Sequence, residues 1–267
     1  MPRDWDDAFA NMAHIPDGGA LVDAWPRDAD QFRASELADL DVQYGESPRQ
    51  AFDLFYPVGQ PKGLMIFIHG GYWMRFGRED FSHFARGALD GGYAACLPSY
   101  TLAPEARIAE ITGQVARAVR RASAMVAGPV ILCGHSAGAH LALRMVCDDS
   151  PLPATLMARI ARVTGIGGVY DLRPLMMTNL NWTLHLDNRE ATSESPVLRR
   201  PKLTAPTTIW VGADERPEFV RQSRAMAVMW DGLGADVTLV EEVGRHHFDV
   251  IDGLRNAGSP LMQAVLG

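Results

Sequence analysis

The chain has 267 residues, of which 47 % are hydrophobic and 21 % charged, with a formal net charge of −7. Those proportions belong to a globular chain long enough for a large core. Acidic and basic residues are mixed, and the absence of a basic block excludes nucleic acid or an anionic membrane surface as the expected partner. The start, Met1-Pro2-Arg3-Asp4-Trp5-Asp6-Asp7, lacks the apolar core of a signal peptide. No apolar run approaches transmembrane length. Two of the three cysteines, Cys96 and Cys133, sit in apolar strand-like runs; with Cys147 they read as buried free thiols in a reducing, cytoplasmic compartment. No Cys or His pair has zinc spacing, so no metal is expected.

Residues 1 to about 38 are mixed and helical in tendency, with Trp5, Phe9, Trp25 and Phe32 interspersed. This segment is expected to pack over the core or the mouth of a site. Asp39–Gln43 and Gln50–Tyr56 alternate around a Gly-Glu-Ser-Pro turn, a hairpin signature. Leu64-Met65-Ile66-Phe67-Ile68 is a continuous apolar run, hence a strand buried on both faces. It ends in His69-Gly70-Gly71-Tyr72-Trp73. Tyr93–Leu97 is a further strand. A helix follows from about Ile108 to Val126, with Ile108, Ile111, Val115, Val119 and Met125 mainly on one face and Arg117, Arg120 and Arg121 on the other.

Pro129 to His140, PVILCGHSAGAH, reads as buried strand, sharp turn and helix. A serine at the apex of such a turn is held in a strained backbone conformation, with its hydroxyl pushed clear of the sheet. Flanking glycines are needed where strand and helix pass too close for a Cβ. Val163–Val169 is the next strand candidate. Residues 170–205 then break the alternation and read as a small cap insertion over the catalytic end of the strands. There Trp182 and Met177 are candidates for a pocket wall, with packing inside the cap the stronger expectation. Thr207–Val211 is a strand ending in Gly212-Ala213-Asp214-Glu215, and a helix starts at Pro217. Asp236–Glu241 is the last strand, followed by Arg245-His246-His247-Phe248-Asp249.

Strand and helix alternate from residue 64 onward, so the expected fold is α/β: a mostly parallel central sheet with helices on both faces, in one domain spanning residues 1–267. Ser136, Asp214 and the His246-His247 pair each follow the C-terminal end of an expected strand. A serine hydroxyl needs a base to become a nucleophile, and the base needs a carboxylate to fix its tautomer. Asp214 is preferred for the carboxylate over Asp171, which follows the preceding strand, and over Glu215, which is expected to face elsewhere. His135 and His140 are expected to support the turn or the helix packing. The oxyanion donors would be the N–H of Gly71 or Tyr72, together with that of Ala137.

Several stretches resemble the α/β-hydrolase superfamily, and within it the kynurenine formamidase (arylformamidase) and esterase group. These are His69 to Trp73 (HGGYW), Tyr100 to Glu105 (YTLAPE), Gly134 to Leu141 (GHSAGAHL), Tyr170 to Leu175 (YDLRPL), Arg216 to Ser223 (RPEFVRQS) and His247-Phe248-Asp249. The resemblance assigns the base to His247 and implies an α/β-hydrolase fold. It implies a serine hydrolase with no cofactor, acting on a small aryl-formamide or ester, with N-formylkynurenine the leading substrate; Trp73 fits such an aromatic substrate and joins Trp182 of the insertion as a candidate pocket residue. A carboxylesterase or thioesterase is the alternative, and a non-catalytic binding module on the same fold the remote one. The expected partner is a small molecule, with no nucleic acid and no membrane, and a homodimer is left open.

Overall fold

The computed structural model describes residues 3–202 and 205–267. Met1-Pro2 of the N-terminal segment and Leu203-Thr204 of the expected insertion lie outside the described residues. The frame is one eight-stranded sheet: β1 (Ala38–Gln43), β2 (Ala51–Phe55), β3 (Leu64–Ile68), β4 (Ala94–Pro98), β5 (Val130–His135), β6 (Ile160–Ile166), β7 (Thr207–Gly212) and β8 (Val237–Glu242). The spatial order is β1-β2-β4-β3-β5-β6-β7-β8. β2 pairs antiparallel with β1 and β4, and the remaining pairs are parallel.

The continuous apolar runs serve two cores at once, because successive side chains on a strand point to opposite faces. Leu64, Ile66 and Ile68 of β3, with Val130 and Leu132 of β5, join one core. That core also takes Ile108, Ile111, Val115 and Val119 from the helix Ile108–Met125, and Phe219, Met226 and Trp230 from the helix Pro217–Asp231. The arginines assigned to the outer face of the first helix, Arg117, Arg120 and Arg121, are exposed. Met65, Phe67, Ile131 and Cys133 point the other way. They meet Val22, Trp25 and Phe32 of α2 (Gly18–Ser35) and Leu261, Met262 and Val265 of the C-terminal helix. Cys96, Cys133 and Cys147 are all buried and unpaired.

Two boundaries differ from the expectation. β6 begins at Ile160 and ends at Ile166, three residues before the expected Val169, because the chain turns at Gly167 with φ +53°. The expected insertion forms four short helical pieces, Arg173–Met177, Asn181–Leu184, Asn188–Ser193 and Pro196–Leu198, the last of which packs against the helix Pro217–Asp231, with the Trp230 Nε1–H donating to the Pro196 carbonyl at 3.1 Å. A short N-terminal helix, α1 (Trp5–Phe9), is tied to this region. Asp6 accepts from the Asn179 backbone N–H at 2.6 Å and from its side-chain amide at 2.8 Å, while Asp7 pairs with Arg216.

Candidate active site

The chain builds outward from β3 in both directions, so the loops after β3 and β5 meet at the point where the strand order reverses. Ser136 occupies that point. Its backbone is strained, with φ 57° and ψ −118°, a region that favours glycine. Packing around it holds this conformation. A Cβ at Gly134 would lie 2.1 Å from the Gly138 carbonyl oxygen, and one at Gly138 would lie 1.9 Å from the Ile68 carbonyl oxygen. Strand, turn and following helix thus approach to backbone contact, as the two glycines imply. The Ser136 N–H donates to the Ile166 carbonyl at 2.8 Å, which fixes the turn against β6.

Ser136 Oγ lies 3.1 Å from His247 Nε2. On the far side of the ring, His247 Nδ1 lies 2.5 Å from an Oε of Glu215, not from Asp214. Asp214 is exposed, whereas the Glu215 side chain is fully buried. The cause is local. The Glu215 N–H donates to the Gly212 carbonyl, closing a tight turn over residues 212–215. Asp214 sits at the tip of that turn and points to solvent, and Glu215 leaves it heading back toward the sheet. The second Glu215 oxygen accepts from the Gly212 N–H at 3.0 Å, so the carboxylate is held at both oxygens. Gly167 makes room for it, since a Cβ there would come within 2.8 Å of Glu215 Oε1 and 3.1 Å of His247 Nδ1.

The other rivals lie elsewhere. Asp171 forms a two-point ion pair with Arg173. His246 turns its Nδ1 back onto the N–H groups of Phe248 and Asp249. His140 Nε2 donates to the Glu194 carbonyl at 2.6 Å, in a packing role. His135 does more than support the turn. Its Nε2 donates to the backbone carbonyl of His247 at 2.8 Å, and its ring lies 4.7 Å from the His247 ring. Burial, together with the neighbouring His247, pushes the His135 pKa well below the ordinary histidine value, so this ring is neutral.

The loop after β3 runs through positive φ at three successive residues: Gly71 (+105°), Tyr72 (+52°) and Trp73 (+58°). The Gly71 carbonyl turns inward to accept from Met74 and Arg75. Among the described residues, no acceptor is found for the N–H groups of Gly71, Tyr72 or Ala137. Ala137 opens the helix Ala137–Arg144, where a free N–H is the rule. Gly70 brings the loop against the serine: a Cβ there would lie 2.9 Å from Ser136 Cβ.

Above Ser136 lies a cavity of about 280 Å³ walled mainly by apolar and aromatic side chains, among them Phe9, Val22, Trp25, Tyr72, Phe76, Phe81, Leu180 and Phe248. Tyr72 is held in the wall by its hydroxyl, which donates to the Phe9 carbonyl at 2.7 Å. Of the two places left open for the N-terminal segment, over the core or over the mouth, it takes the mouth, where Phe9, Val22 and Trp25 line the cavity. Neither tryptophan proposed for the pocket is part of it. Trp73 is fully buried beneath the loop, edge-on to His140 at 5.1 Å, because its left-handed backbone turns the side chain into the core. Trp182 is 82 % exposed. It lies two residues from the buried Leu184 on one short helix, about 200° around the axis, so burying one exposes the other. Met177 is likewise exposed rather than packed inside the cap. The aromatic wall was missed because it is gathered from four separate segments; its one local signal was the aromatic content of the N-terminal stretch.

The doubly covered sheet, the strained serine turn and the histidine beside it define an α/β hydrolase. Residues 65–261 match the alpha/beta hydrolase family, and the chain belongs to it. Within that family it groups with the kynurenine formamidases and esterases. It is 30 % identical to the kynurenine formamidase of Salmo salar over 248 residues, 88 % of this chain and 83 % of that protein. It is also similar to a crystal structure from Silicibacter sp. tm1040 that carries a provisional thioesterase designation, with 42 % identity, a TM-score of 0.94 and complete coverage of both chains. Esterase B of Lactobacillus rhamnosis shares the fold at 19 % identity and a TM-score of 0.69, over 96 % of this chain and 92 % of that one.

Proposed function

We propose that this hydrolase is a serine enzyme cleaving a small formamide or ester through a covalent acyl-enzyme, with N-formylkynurenine, released as kynurenine and formate, as its leading substrate. The observation that carries the reading is the chain of contacts from Ser136 Oγ through His247 to the buried Glu215, at the base of an aromatic cavity. His247 Nε2 takes the Ser136 proton as Oγ attacks the acyl carbon. Glu215 holds Nδ1–H and balances the imidazolium charge. The free N–H groups of Gly71 or Tyr72 and of Ala137 receive the oxyanion; each such donor is typically worth about 3–4 kcal/mol to the transition state. His247 then passes the proton to the departing amine or alcohol, and water, deprotonated by the same ring, releases the acid. Similarity to the Salmo salar kynurenine formamidase and an aromatic wall suited to an aryl group support the choice of substrate.

The test is hydrolysis of N-formylkynurenine, followed by absorbance, with wild type and Ser136→Ala in parallel. Turnover that falls by about 10³-fold or more in the variant is the expected result. Equal turnover in the two proteins would remove Ser136 from the chemistry. A carboxylesterase or thioesterase is the second reading, favoured by the similarity to the Silicibacter protein. It is preferred if short p-nitrophenyl esters or acyl thioesters are cleaved faster than N-formylkynurenine.

A further inference from the structure

Beyond Tyr72 and His135, described above, two polar side chains on the cavity wall have no part in the hydrolytic steps. Arg75 lies at the mouth, exposed, with its guanidinium carbon 5.0 Å over the Phe76 ring. It is the single Lys or Arg among the residues lining the cavity, and no Asp or Glu lines it. The arginines nearby are committed to partners. Arg49 donates to the carbonyls of Tyr100 and Phe76, Arg78 pairs with Asp41 and Asp53, and Arg216 pairs with Asp7. The Arg75 guanidinium has no hydrogen bond or ion pair among the described residues. Asn11 lines the same cavity. It is 4 % exposed, and neither its amide nitrogen nor its amide oxygen has a hydrogen-bond partner.

Each observation has a physical consequence. A buried carboxamide with both atoms unpaired is destabilising until a polar group meets it. A guanidinium stacked on an aromatic face keeps its N–H fork free for a planar oxyanion. In a chain of net charge −7, a local cation beside an apolar cavity is also what would draw an anion in against the overall field.

We propose that Arg75 and Asn11 select substrates whose aryl leaving group carries a carboxylate. Arg75 pairs with the carboxylate, and the Asn11 amide N–H donates to an oxygen of the same group. This assignment rests on the serine-hydrolase reading and deepens it, because a neutral aryl ester satisfies the catalytic groups but leaves both side chains idle.

The experiment compares 4-acetoxybenzoate with its methyl ester, which present the same acyl group and ring with and without the charge. The readout is the ratio of their kcat/KM values, which cancels intrinsic reactivity between wild type and variant. Arg75→Met is expected to lower the carboxylate-to-methyl-ester ratio about tenfold, chiefly through KM of the charged substrate. Arg75→Lys keeps part of it, and raising salt lowers the ratio in wild type but not in Arg75→Met. Asn11→Asp, which sets a like charge in the cavity wall, lowers the ratio as well. An unchanged ratio in Arg75→Met overturns the proposal and leaves the hydrolase reading intact. Failure of wild type to cleave either ester or N-formylkynurenine overturns both.

Discussion

Asp214 and Glu215 are adjacent carboxylates with opposite surroundings, and the difference is measurable. Glu215 is buried, with one oxygen on His247 and the other on the Gly212 N–H, while Asp214 faces water. Glu215→Gln keeps the shape but turns the histidine toward the wrong tautomer, so kcat on a p-nitrophenyl ester is expected to fall by roughly 10³–10⁴-fold. Asp214→Asn is expected to stay within about twofold of wild type. The reverse pattern would return the acid to Asp214. Ser136 and the His246-His247 pair were readable because each belongs to a short stretch with its own strand and turn, while the choice of His247 over His246 rested on the family resemblance. The carboxylate that meets the His247 ring was not readable, because a four-residue turn decides which of two neighbours faces inward, and nothing in the residue types Asp-Glu records that.

Elements above the sheet are joined to it by a buried ionic cluster. Glu194, in the insertion, accepts from Arg144 at 3.1 and 3.2 Å and from the Thr112 hydroxyl at 2.7 Å, and Arg144 also pairs with Asp149. Thr112 and Arg144 lie on the helices Ile108–Met125 and Ala137–Arg144, so one carboxylate ties the insertion to the helix that follows Ser136. Nearby, Glu190 pairs with Arg107 and accepts from the Ala109 N–H at 3.0 Å, satisfying one free donor at a helix start. Glu194→Ala leaves the buried Arg144 short of a counter-charge. The expected cost is about 3–5 kcal/mol, a fall in Tm of roughly 10 °C in a thermal melt. Glu194→Gln, which keeps a hydrogen-bond acceptor, should lose less. A melt of Glu194→Ala that matches wild type would show the cluster to be energetically idle. The helices and strands themselves were legible, because hydrophobic spacing sets which faces are buried. The ties between them join residues up to 82 positions apart in the chain and carry no local pattern.

Across the whole molecule, folding buries histidines faster than it pairs them. Burial pushes the pKa of His69, His83 and His140 down to about 4, and that of His135 well below its ordinary value. Above pH ~6.5 these rings are neutral in both folded and unfolded chains and contribute no pH dependence. Below that, the unfolded chain takes up protons that the folded chain refuses, so stability falls as pH drops from about 6.5 toward 4. Asp53, whose carboxyl is raised by burial, acts in the opposite sense, but only near the carboxylate range. The expected outcome is a Tm at least about 10 °C lower at pH 5 than at pH 7.5. His140→Gln should flatten the dependence, and a flat profile in wild type would mean that these rings are protonated in the folded protein.

Residue order by itself determined the alternation of strand and helix, the sharp serine turn with its two obligatory glycines, and the expectation that an aromatic N-terminal stretch packs over the core or the mouth of a site. All three depend on spacing within about a dozen residues, where pattern and sterics act directly. Only the tertiary structure decided that Glu215 rather than Asp214 meets His247, and that Trp73 and Trp182 leave the cavity to Phe9, Trp25, Phe76 and Phe248. It also brought Arg75 and Asn11 to the same cavity. Those outcomes depend on which way a turn releases its last residue and on how separate segments close over the sheet. Such choices follow from packing across the whole molecule, and no single stretch of chain contains them.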